Sequence, residues 1–84
     1  MDILIGGLDA KRARALEADV RRAIIDLQVT DVVTIAVLPS DAANRWDVGV
    51  RRSAGWSVTW FDSAVEDLSA QVADRLRASV KSIR

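Results

Sequence analysis

The side chains left for chemistry in this sequence are carboxylates, hydroxyls, guanidinium and ammonium groups, because it contains no cysteine, histidine or tyrosine. Disulfides and thiolate metal sites are thereby excluded. So are the usual general base, the commonest transition-metal ligand and the phenolic acid. No serine–histidine or paired-carboxylate spacing is present. Asp41, Asp47, Asp62 and Asp67 have the chemistry to gather around a hard cation, but no EF-hand pattern links them. Asp62 beside a helix cap and Asp67 in a first helical turn have simpler roles. The expectation is a protein with no catalytic residue, no metal and no cofactor.

Anion binding is the second chemistry the residues raise. Gly6-Gly7 follows a short apolar run and precedes a helix that opens with Lys11, Arg12 and Arg14. A glycine turn at a helix N-terminus offers free N–H groups to a phosphate. The spacing matches neither the dinucleotide fingerprint nor the P-loop. Asp9 also puts a carboxylate where the anion would sit. Cations in a first helical turn oppose the macrodipole, and such a broken local rule marks a spot to watch. The formal net charge of zero argues against a sequence-independent hold on nucleic acid. Nucleic-acid or anion binding through Lys11, Arg12 and Arg14, with Arg45 as an accessory, is therefore the alternative function and not the leading one.

The third possibility is a contact surface. Trp46 to Phe61 holds all three tryptophans and the only phenylalanine. Alternation within it predicts a β-hairpin. A three-residue connection, Ser53-Ala54-Gly55, separates the side chains cleanly. Val50 then lies opposite Val58, Val48 opposite Trp60 and Arg52 opposite Trp56. That register predicts one face of Trp46, Val48, Val50, Trp56, Val58 and Trp60, covered by helices as core. The tryptophans have a competing use as a stacking platform for bases or as a partner's hot spot. The other predicted face carries Arg51, Ser57, Thr59 and Phe61, and these four are the expected partner-binding residues. The last strand is also open to edge-to-edge pairing.

The elements that must hold these residues follow from periodicity. Residues 3–5 make a brief strand. Asp9 is an N-cap for a helix over 10–27, whose apolar face is Ala13, Leu16, Val20, Ala23, Ile24 and Leu27. Glu17 and Arg21 have the favourable i,i+4 order. Residues 32–38 form a β-branched strand, apolar on both sides and thus central, with Val33, Ile35 and Val37 as its more apolar set. Residues 39–45 are a loop. Ser63 and Glu66 fit a capping box for a second helix reaching about residue 82. Its stripe is Val65, Leu68, Val72, Leu76, Val80 and Ile83, and its bases Arg75, Arg77, Lys81 and Arg84 fall late. The order β-α-β-β-β-α implies an α+β fold. It is a two-layer sandwich with a mostly antiparallel sheet and two helices on one face, as a single domain over 1–84.

From the first helix onward, the order α-β-β-β-α resembles the double-stranded-RNA-binding domain. That family carries a basic cluster at the start of its last helix. The matching positions here are Ser63, Ala64, Val65, Glu66 and Asp67, whose acids would repel phosphate. The resemblance therefore implies an arrangement of elements and not RNA binding.

A chain of 84 residues buries only ~60–65% of its unfolded surface, so its core is thin. No apolar run approaches the length of a membrane span, and the N-terminus lacks a basic n-region, so a cytoplasmic protein is expected. Arg far outnumbers Lys and Asp far outnumbers Glu, with abundant Ala, as a GC-rich bacterial or phage genome would encode. The expected function is non-enzymatic protein–protein interaction. An adaptor, subunit or inhibitor would use the open sheet face or its edge, with a homodimer as one case.

Overall fold

The structure, a computed structural model, describes residues 1–82, with side chains through Ala78. Its elements run β1 (Asp2–Ile5), α1 (Ala10–Leu27), β2 (Val32–Pro39), β3 (Arg45–Arg52), β4 (Gly55–Asp62), a 3-10 turn (Val65–Asp67) and α2 (Leu68–Ser82). The four strands form one mixed sheet in chain order. β1 is parallel to β2, and the other two pairings are antiparallel. This is the α+β sandwich expected from the sequence. Val80, Lys81, Ile83 and Arg84 of the expected second-helix pattern lie outside the described side chains.

The mixed topology dictates how the helices lie. β1, β2 and β4 point the same way, so α1 and α2 both start from one end of the sheet. Leu8 and Arg12 accordingly share a recess with Val65 and Glu66, and Asp26 shares one with Asp74 and Arg77. Between the layers, Leu16, Val20, Ala23 and Ile24 of α1 meet Leu68, Val72 and Leu76 of α2 over Ile35, Val37, Val48 and Val50. Each fully buried aliphatic side chain stabilises by about 1.5–3 kcal/mol. Both helices use one face of the sheet.

Local devices explain the boundaries. The Asp9 carboxylate accepts from the Arg12 N–H at 2.8 Å, which caps α1. Gln28, at φ 57°, ends it in the left-handed conformation. Glu17 and Arg21 pair along α1 at 3.7 Å.

Two local expectations are corrected. The Ser63 hydroxyl donates to the Ala64 carbonyl at 2.8 Å and does not cap a helix. The Ser63 N–H is held by the Asn44 carbonyl at 2.8 Å, which ties this residue to the sheet. α2 therefore begins only at Leu68, after the 3-10 turn. In β2, a bulge between Val32 and Thr34 interrupts the alternation. Val33 is the extra residue and is 43% exposed, while Val32 takes its place in the core.

Candidate interaction surface

The hairpin register sets the character of the uncovered sheet face. Arg52 pairs with Gly55, Arg51 with Trp56, Gly49 with Val58, Asp47 with Trp60 and Trp46 with Phe61. The connection is thus the two residues Ser53 and Ala54, with Gly55 at φ 127° opening β4. One residue fewer in the turn than expected exchanges the faces of β4. Trp56, Val58 and Trp60 point away from the helices. Ser57, Thr59 and Phe61 point toward them.

The expected site is corrected accordingly. Arg51 is on the open face and exposed. Phe61 is 3% exposed, packs beside Trp46 across the strands, and lies under the Arg75 guanidinium at 5.7 Å from its ring centroid. Ser57 and Thr59 share its side and are half-buried. Of the tryptophans, only Trp46 joins the core as expected. The two sets of β4, Trp56, Val58 and Trp60 against Ser57, Thr59 and Phe61, are those expected; the turn length, not the polarity of either set, decides which one faces the helices.

Reading the registers across all four strands arranges the open face in rows. Asp2, Thr34, Arg51 and Trp56 form the first, and Leu4, Ala36, Gly49 and Val58 the second. Leu38, Asp47 and Trp60 form the third. Leu4, Leu38, Trp56, Val58 and Trp60 are between 45% and 64% exposed. These are five large apolar side chains on one surface, where scattered single ones would be ordinary.

Two contacts hold the aromatic rings. Gly49 leaves room for the Trp56 ring edge, so that a Cβ added at Gly49 would sit 3.3 Å from Trp56 Cζ3. A glycine inside a strand commonly marks such a close approach, and this was the signal in the sequence for an outward Trp56. The Arg45 guanidinium stacks over Trp60 at 4.1 Å from the ring centroid. Its Nε also donates to Asp62 Oδ1 at 3.2 Å, which orients the cation on the ring.

Among the basic residues at the start of α1, Lys11 and Arg14 are exposed three residues apart, and Arg12 is turned away from Arg14. Arg12 lines the recess toward Val65 and Glu66, whereas Arg14 lines a different one with Ile3, Ile5 and Glu17. Residues two apart on a helix face different directions. The Asp9 carboxylate occupies the helix N-terminus.

The remaining well-built polar feature is at the opposite end of the sheet. Arg52 grips Asp31 through its Nε and Nη2, at 2.8–3.1 Å. The hydrogen bond and charge of Arg52 hold the Asp31 carboxyl below its ordinary pKa. This fork ties the segment after α1 to the hairpin. Among the described residues, no three carboxylates converge as metal ligands. Among the described residues, too, no helix is long and apolar enough to cross a membrane.

The open face therefore presents aromatic and aliphatic side chains with a few charges between them. Compared with known proteins, the chain matches no family model and no curated protein sequence.

Proposed function

We propose that the protein is a non-enzymatic interaction module that binds a protein partner through its open sheet face. The observation that carries this reading is the outward display of Trp56, Val58 and Trp60 beside Leu4 and Leu38. Tryptophan is enriched at the centres of protein interfaces, where desolvating one large rigid ring contributes more than many small contacts. Arg51 and the Arg45–Asp62 pair supply polar groups around them. The partner-binding role expected for Arg51 stays in this proposal. Phe61, Ser57 and Thr59 now support the face from behind.

A photo-reactive amino acid at Val58, in the second row, tests the reading against the same probe at Ala18 on the exposed side of α1. The expected result in a native extract is a discrete adduct from position 58. It should vanish when Trp56 and Trp60 are both changed to Ser. Equal adducts from both positions, or none from position 58, would count against the face as a binding surface.

A further inference from the structure

We propose that the partner of this face is a second copy of the same chain, related by a two-fold axis along the Leu4–Ala36–Gly49–Val58 row. The inference rests on the reading of the open face as a docking surface and names its occupant. Arg51 stands one row to one side of that line and Asp47 one row to the other, on the same strand. Neither is in an ion pair among the described residues.

A rotation about the row reverses strand direction and keeps each strand opposite its own copy. Arg51 then meets Asp47 of the second copy, and Asp47 meets its Arg51, so one symmetric contact is satisfied twice. Trp56 likewise meets Trp60 of the second copy. A two-fold along the strands would instead set Arg51 against Thr34 and Asp47 against Leu38, leaving four charges desolvated without partners. Of the two orientations, only the first pairs the charges of the central strand β3. The central row is uncharged, and with the Trp56 ring edge lying over Gly49 it presents an aromatic and aliphatic surface to its copy.

The area fits a reversible dimer. The exposed parts of the five large apolar side chains amount to roughly 500 Å² per copy, or about 1,000 Å² in total, near the lower bound for a specific interface. An interface of that size belongs with weak, reversible associations.

Sedimentation equilibrium of the full chain at several concentrations, with charge-reversed variants, tests this. The wild type should dimerise. Arg51→Asp alone and Asp47→Arg alone should each weaken the dimer by roughly 100-fold or more, since each brings like charges together twice. An equimolar mixture of the two variants should recover the dimer, because every contact in the mixed pair is again acid to base. Recovery also shows that both variants are folded. A chain monomeric throughout overturns the second copy as partner and leaves the docking face standing. A dimer that ignores the charge changes but is lost on changing Trp56 and Trp60 to Ser overturns the two-fold along the row with its Arg51–Asp47 contact, and leaves the docking face standing. A dimer indifferent to all four substitutions lies elsewhere and overturns the second copy as occupant of this face, while the crosslink from position 58 tests the docking face itself.

Discussion

Replacing Phe61 and Trp60, neighbours on β4, by alanine should destabilise to very different extents, and the order of the two losses tests the hairpin register. Phe61 is 3% exposed and sits between Trp46 and Arg75. Removing its ring leaves a cavity in the core, at a cost of about 3–5 kcal/mol. An 84-residue domain is stable by only about 4–13 kcal/mol at typical values per residue. Phe61→Ala should therefore remove a large part of the stability, and Phe61→Asp should prevent folding. Trp60 is 56% exposed. Trp60→Ala loses a contact with Arg45 worth about 0.5–1 kcal/mol and part of a half-covered ring, so about 1 kcal/mol in all is expected. The assay is urea unfolding followed by far-UV circular dichroism, since fluorescence would change with the tryptophan content. Working at low protein concentration keeps self-association from adding to stability. With a three-residue turn the ranking would be reversed. A larger loss from Trp60→Ala than from Phe61→Ala would refute the register and the open aromatic face with it.

Two further outcomes follow from polar contacts. Asp9→Ala removes the cap from α1 and should cost about 1 kcal/mol in the same unfolding assay, whereas Asp9→Asn should cost much less. An equal loss in both variants would show that the charge, and not the accepted hydrogen bond, matters. Folding holds the Asp31 carboxyl below its usual value of 3.8, mainly through the Arg52 hydrogen bond. Its contribution is therefore present above that value and fades as pH falls through the lowered one. The stability gap between wild type and Asp31→Asn should be constant near neutrality, start to narrow below about pH 4 as the unfolded carboxyl takes up its proton, and close once the folded Asp31 is protonated as well. A gap that stays the same throughout the acid limb would deny Asp31 this role.

The hairpin shows where a strand pattern stops being decisive. Trp56, Val58 and Trp60 look like a core stripe when only hydrophobicity is counted. Assigning them inward required Gly55 to belong to the turn. The structure uses Gly55 at φ 127° as the first residue of β4 and keeps Ser53-Ala54 as the turn. The space beneath the helices is already filled by Trp46, Val48, Val50, Ile35 and Val37, with Phe61 beside Trp46. Volume, not polarity, separates the two registers, and volume is a property of the packed layers.

By itself the sequence determined the order of elements, the extent of α1 with its Asp9 cap, the apolar stripes of both helices through Leu76, and the mostly antiparallel sheet. These rest on period-3.6 and period-2 patterns and on capping chemistry, all interactions between residues near in the chain. Only the tertiary structure decided which side of β4 meets solvent, how Val33 leaves the core at a bulge, and why Ser63 caps nothing. Those outcomes depend on contacts between elements: Gly49 beneath Trp56, Arg51 across from Trp56, and Asn44 holding Ser63. The candidate surface is made of such juxtapositions between strands, which is why Arg51 alone of its expected residues was placed from the sequence on the face that is open.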